Sequence, residues 1–311
     1  MAEGREGFIM KSTGSWYLVR TESGEELKSR LRGKFKNKGL KVNNPIAVGD
    51  RVMVEVEDVE EGTAIITDIL ARDNYIIRKS TRRANYGHII AANIDQAILI
   101  ATLVMPRTSS GFIDRFLVTT ETFRIPAVLL FNKEDLLDEE ATDAQRQAME
   151  MYESLGYPCY SLSALHDDDV EKVKDLLKDK VSLISGHSGV GKSTLVNKIA
   201  PGTDQKTDTI SGFANKGKHT TTFAEMFEIM PDSFVIDTPG IKELGLMEVE
   251  PEELSHYFPE MRDLLGECKY HNCMHTHEPG CAVVEAVEEG KIPLSRYHNY
   301  LSMLQGDDSH R

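Results

Sequence analysis

No apolar run in this chain approaches the roughly 20 residues that a membrane-spanning helix needs; the longest, such as Ala97 to Ala101, are far shorter. The first residues, Met1 to Gly7, are polar and lack the apolar core of a secretory signal. Both absences predict a soluble cytoplasmic protein with no membrane partner. Cysteine is scarce: there are four in 311 residues, and three of them crowd into Cys268 to Cys281. That excludes a disulfide framework spread along the chain and points to a metal site. Cys159 stands alone and reads as a small buried residue. Positive charge is in deficit, with 36 Lys and Arg against 50 Asp and Glu and a net charge of −14. This excludes a protein that coats nucleic acid through its global charge. No internal repeat and no long low-complexity segment is present.

The deficit is uneven. Residues 1–80 carry 14 basic and 13 acidic groups, whereas the acidic excess lies beyond them. Lys28, Arg30, Arg32, Lys34, Lys36, Lys38 and Lys41 fall within one stretch without any acid. At a prior of about 150 residues per domain the length predicts two or three domains, and the texture changes in three places. Residues 1–78 show short β-prone segments, Trp16 to Arg20, Leu27 to Phe35, Arg51 to Val56 and Thr63 to Ile69, divided by glycine and polar turns. That spacing predicts a small barrel of the OB type. Lys28, Arg30, Arg32, Lys34 and Lys36 are two apart, so a strand projects them from one face, where they suit an RNA phosphate backbone or a solvated, protected edge.

Residues 79–248 open on a polar link, Arg78 to His88, and then alternate strands and helices. The strands are Asp95 to Leu103, Ala127 to Phe131, Tyr157 to Leu162, Val181 to Ile184 and Phe234 to Ile236; the helices are Asp114 to Phe123, Glu139 to Leu155 and Val170 to Lys180. This is the pattern of a doubly wound parallel α/β sheet. Residues 249–311 are acidic and helical, over Pro251 to Leu265 and Pro293 to Leu304, with the cysteine cluster between.

The centre of the chain is Gly186, His187, Ser188, Gly189, Val190, Gly191, Lys192, Ser193 and Thr194, which fits G-x-x-x-x-G-K-[ST] between a strand and a helix start. Backbone N–H groups close on phosphate oxygens there, Lys192 reaches the β- and γ-phosphates, and the Ser193 hydroxyl takes Mg²⁺. Three further segments follow strands. Asp237-Thr238-Pro239-Gly240 offers Asp237 to Mg²⁺ and the Gly240 N–H to the γ-phosphate. Asn132-Lys133-Glu134-Asp135 offers a carboxylate to the N1–H and N2–H₂ of guanine, a donor pair that adenine lacks. Ser161-Leu162-Ser163-Ala164 offers the Ala164 N–H to guanine O6, with Ser163 beside it. A second Mg²⁺ ligand is expected from Thr220, Thr221 or Thr222, of which Thr221 is taken. His219 is the candidate for positioning water, because Ile241 stands where many GTPases place a glutamine. The order, base loops before phosphate loop, resembles a circular permutation of the translation-factor-related GTPases.

Cys268-x4-Cys273-x-His275-x5-Cys281 offers three thiolates and an imidazole, the closed donor set of one structural Zn²⁺, with His271 and His277 as alternative fourth ligands. With barrel, permuted GTPase and zinc segment in this order, the chain resembles the ribosome small-subunit-dependent GTPase A family. The resemblance implies a GTP-hydrolysing factor that binds the small ribosomal subunit and its rRNA in late maturation, with hydrolysis stimulated by the subunit; the chain is expected to be monomeric. It also implies guanine binding by Asn132 and Asp135, phosphate and Mg²⁺ binding by Lys192 and Ser193, and zinc binding by Cys268, Cys273, His275 and Cys281. Two other readings compete: a P-loop kinase or ATPase, which has no use for Asn132 to Asp135, and an RNA-binding assembly platform with a structural nucleotide.

Overall fold

The computed structural model describes residues 4–32, 45–79, 87–200, 224–237 and 249–306. They form two compact units, Met1–Ala97 with Asp167–Ile184 and Lys192–Gly245, and Ile98–His166 with Ser185–Gly191 and Leu246–Arg311. In the first unit, strands β1 (Arg5–Ser12), β2 (Tyr17–Thr21), β3 (Glu26–Leu31), β4 (Arg51–Asp58) and β5 (Thr63–Ile69) pair in the order β1-β2-β3-β5-β4. A further β1–β4 pairing closes the barrel. Alternation decides the faces: in β3, Leu27 and Ser29 turn inward while Lys28 and Arg30 face water. Ile9, Val19, Leu27, Val52, Val54 and Ile66 fill the interior. Beneath it the buried Asp50 carboxylate is paired with Arg72, Nε to Oδ1 at 2.6 Å and Nη2 to Oδ2 at 2.7 Å.

The sequence pattern omits β1 for a physical reason. A bulge between Ile9 and Lys11 breaks its period of two, so adjacent Ile9 and Met10 are both buried. Of the expected polar link, Arg78 to His88, the two ends belong to an antiparallel ribbon of β6 (Tyr75–Lys79) and β7 (Gly87–Ala92), and residues 80–86 lie outside the described residues.

The second unit contributes β8 (Gln96–Ala101), α1 (Ser110–Thr122), β9 (Ala127–Asn132), α2 (Glu139–Ser154) and β10 (Cys159–Leu162), with strand order β10-β9-β8. Every residue of β8 and β9 is buried, as befits strands covered on both faces. Ser109 caps α1, its hydroxyl accepting from the Phe112 N–H at 3.2 Å, so the helix starts four residues before the point its apolar period marks. The chain returns to the first unit with α3 (Asp167–Leu177), β11 (Val181–Ser185), α4 (Lys192–Ile199), β12 (Glu225–Met230) and β13 (Ser233–Asp237). β11 and β13 are parallel, β12 and β13 antiparallel, and Lys11 stands opposite Glu225 where β12 meets β1.

The C-terminal part of the second unit holds a 3-10 segment (Pro251–Tyr257), α5 (Pro259–Arg262), α6 (Ala282–Glu288) and α7 (Leu294–Leu304). The single helix expected over Pro251 to Leu265 is broken because Pro259 has no N–H to continue it and starts a new turn capped by Phe258. Phe258, Met261, Val283, Tyr300 and Met303 share a core with Val118 of α1. Among the described residues no helix is long and apolar enough to cross a membrane.

Candidate nucleotide site and metal-binding cluster

β11 ends at Ser185 and α4 begins at Lys192, so residues 186–191 form a loop that leads into a helix N-terminus. Two of its glycines are sterically required. Gly186 has φ 145° and a Cβ there would stand 2.3 Å from the Ile100 carbonyl oxygen; at Gly191, φ 99°, it would stand 2.3 Å from Asn132 Nδ2. Between them Val190 is fully buried, and its carbonyl accepts from Asn132 Nδ2 at 2.7 Å. The other end of the same amide, Oδ1, accepts from the Ala164 N–H at 2.9 Å. Asn132 thus brackets the phosphate loop against the loop that follows β10, and it is itself buried.

The neighbouring side chains are held one by one. Lys133 adopts φ 69° and donates its Nζ to the Met105 carbonyl at 2.6 Å. Glu134 accepts from Ser161 Oγ at 2.6 Å, and Gln145 Nε2 in turn donates to that hydroxyl at 2.7 Å. The exposed carboxylate of Asp135 is oriented by Ser163 Oγ at 2.5 Å, and Ser163 also accepts from the Leu165 N–H. A rigid floor and an outward-facing acid therefore meet where sequence spacing places guanine. His187 packs on Phe112 of α1, with ring centroids 3.9 Å apart. Phe112 and Met105 carry no motif signal; only the Ser109 cap marks that stretch.

Lys192 and Ser193 open α4 half-buried, with Thr194 exposed. Leu183 lies beside Ile236 in parallel register, so β13 delivers Asp237 at the end of β11 from which the phosphate loop departs. The Asp237 side chain, His219, Thr220, Thr221, Thr222 and Gly240 lie outside the described residues, as do Lys34 and Lys36. Lys28, Arg30 and Arg32 are described, and the basic row is of mixed charge. Arg30 pairs with Glu57 at 2.9 Å and Arg32 with Glu55 at 3.3 Å, while Lys28 Nζ sits 4.8 Å from the Trp16 ring centroid.

The Cys/His segment closes on itself. The donor atoms of Cys268, Cys273, His275 and Cys281 all lie within 4.8 Å of one another. Cys268 Sγ is 3.5 Å from His275 Nδ1 and 3.9 Å from Cys281 Sγ, and His275 Nδ1 is 3.4 Å from Cys281 Sγ. With metal–ligand bonds of about 2.0–2.3 Å, the edges of a tetrahedron come to roughly 3.5–3.8 Å, so the group can hold a metal ion. The alternatives His271 and His277 are exposed and outside the cluster. Burial pushes the Cys273 thiol up to about 12 and holds His275 below the usual imidazole range, so both donors are neutral until a cation offsets their burial. Glu278 organises the loop. Burial pushes its carboxyl up, but the N–H groups of Met274, Thr276 and His277 donate to it at 2.9, 2.9 and 3.0 Å and bring it to about 2. Tyr297 and Tyr300 of α7 donate to the carbonyls of His275 and Met274 at 2.9 and 2.8 Å.

The chain is similar to known proteins over nearly its whole length. The family described as RsgA GTPase matches residues 69–247, and the RsgA N-terminal domain matches residues 6–64. A small ribosomal subunit biogenesis GTPase RsgA from Cytophaga hutchinsonii is 54% identical over 306 residues, covering 98% of this chain and 100% of the relative. The protein of that name from Flavobacterium johnsoniae is 48% identical, over 98% and 94%. Among solved structures, YjeQ from Thermotoga maritima matches with TM-score 0.80 and 38% identity, covering 98% of each chain. YloQ, described as a circularly permuted GTPase, matches with TM-score 0.76 and 28% identity over 99% and 96%.

Proposed function

The chain belongs to the RsgA GTPase family, and on that premise we propose that it hydrolyses GTP to GDP and phosphate in the biogenesis of the small ribosomal subunit. The observation that carries the reading is the Asn132 amide, which joins the phosphate loop to the 163–164 loop beside the exposed Asp135 carboxylate. A P-loop kinase needs no such bracket.

In this reading Asp135 accepts from the base, the 163–164 loop flanks O6 although the Ala164 N–H itself is donated to Asn132 Oδ1, and Lys133 flanks the ring. The N–H groups of residues 186–191, Lys192 and the N-terminus of α4 receive the phosphates. Ser193, Asp237 and Thr221 would hold Mg²⁺, which would supply neutralisation of the phosphate charge. His219 orients the attacking water, and Gly240 reads the γ-phosphate. Cys268, Cys273, His275 and Cys281 would take one zinc per chain in a structural role, since a closed set of four protein donors leaves no ligand for an activated water.

Residues 1–78 and 249–311 act as the ribosome-facing segments on either side of the GTPase domain, residues 79–248. Lys28, Arg30, Arg32, Lys34 and Lys36 contact rRNA. The protein works as a cytoplasmic monomer, and GTP hydrolysis times its release from the subunit. Hydrolysis by the purified protein is to be measured alone, with small subunits and with large subunits at matched salt. Small subunits alone should accelerate it, on the order of tenfold or more. Guanine nucleotide binding without any acceleration would overturn the ribosomal assignment and leave the GTPase site standing.

A further inference from the structure

Helix α1 connects two places that the motifs treat separately. At its first turn Phe112 packs on His187 of the phosphate loop, centroid to centroid 3.9 Å with the rings tilted by 32°. Two residues on, Asp114 is wholly buried and accepts three hydrogen bonds: from Tyr152 Oη of α2 at 3.0 Å, and from Arg296 Nη1 at 2.7 Å and Asn299 Nδ2 at 2.5 Å, both of α7. Asn299 also reaches Ser110 Oγ, the residue that opens the helix, at 3.3 Å. Arg296 is fully buried, donates to Glu260 at 2.7 and 3.2 Å and lies over the Phe258 ring. The same α7 donates Tyr297 and Tyr300 to the carbonyls of the metal-binding loop. A buried ion pair adds little net stability compared with apolar packing, but breaking it leaves an uncompensated charge out of water, which disfavours a shift of α7 against α1.

We propose that this lock makes Asp114 and Asn299 positioning residues for the phosphate loop: α7 sets the first turn of α1, and Phe112 passes that setting to His187. The C-terminal metal-binding segment is thereby coupled to nucleotide retention. The inference rests on the assignment of residues 186–194 as the phosphate site.

The test is the release rate of a fluorescent GDP analogue from the full-length, metal-loaded protein. Asn299→Ala lies on α7, outside the nucleotide site, and Phe112→Leu lies at the other end of the link. Each is expected to speed release on the order of three- to tenfold, with the double variant no faster than the faster single one. Arg262→Ala removes another C-terminal contact with α1, the exposed pair to Glu121 at 2.9 Å at the far end of the helix. It should leave release unchanged, because it does not act on the first turn. Metal content and the thermal midpoint identify variants that have lost the fold. If Asn299→Ala is one of these, Ser110→Ala, at an exposed site, is scored by the same criterion. Release at the wild-type rate in the folded α7 variant, or effects of Asn299→Ala and Phe112→Leu that multiply, would overturn the coupling. A wild-type protein that retains no guanine nucleotide would instead sink the phosphate-site assignment.

Discussion

Asn132 spends both ends of its amide on the protein, whereas Asp135, three residues on, turns an exposed carboxylate outward. The two residues share a motif, yet their removal has different consequences. Asn132→Ala strands the Val190 carbonyl and the Ala164 N–H in a buried place, at a cost of about 1–3 kcal/mol each. Both loops lose their register, so affinity for every purine nucleotide should fall together. Asp135→Asn leaves the fold alone, since exposed substitutions fall within about 0.5 kcal/mol. On the proposed binding mode it removes an acceptor for the guanine 2-amino group, a charge-assisted bond worth about 1.5–3 kcal/mol. Competition binding of GTP against ITP, which lacks that amino group, separates the roles. Asp135→Asn should abolish the preference for GTP, and Asn132→Ala should weaken both ligands at an unchanged ratio. An altered ratio in Asn132→Ala would show that its amide contacts the base rather than the loops.

At the scale of elements the metal-binding loop depends on a residue outside the donor set. Glu278 accepts from three backbone N–H groups that lie between and beside the candidate ligands Cys273 and His275. Without it the N–H groups of the turn that gives His275 its φ of 55° lose their acceptor, and the Tyr297 and Tyr300 hydroxyls, which bond the carbonyls of His275 and Met274, have to hold those peptides alone. Glu278→Ala should therefore lower affinity for Zn²⁺ about ten- to hundredfold, as is usual for groups that orient ligands, in competition with a chromogenic chelator. Lys291→Ala, which breaks only an exposed pair with Glu289, serves as the control. Unchanged affinity in Glu278→Ala would reduce that carboxylate to a surface feature. The Cys/His cluster was legible because donors gathered in one loop leave a spacing in the chain, and the motifs at residues 186–194 and 132–135 are contiguous in the same way. Elements whose reason is distant were not. The β1 bulge hides its alternation, β12 exists because β13 lies beside it, and Arg296 meets Asp114 across 182 positions. Within its own helix Arg296 reads as an ordinary polar residue; only folding puts it in the core.

For the whole molecule, a net charge of −14 sets a barrier to any polyanion. The proposed rRNA contact must then come from local charge, and the structure dilutes it, because Glu57 and Glu55 stand against Arg30 and Arg32. Exposed pairs of this kind contribute about 0–1 kcal/mol to stability, so the arginines do not need the glutamates in order to stay on the barrel face. What the glutamates do is cancel part of the field that phosphates would meet. The Glu55→Gln, Glu57→Gln double variant should unfold at nearly the wild-type temperature and bind small subunits more tightly at low salt. Its salt dependence should steepen by about 0.7–0.9 in log–log slope for each arginine that gains a phosphate contact. Binding titrations from low to moderate salt give both numbers. Weaker binding with the fold intact would mean that the glutamates orient the arginines for RNA. An unchanged slope would move the rRNA contact off this row and onto another surface of the chain.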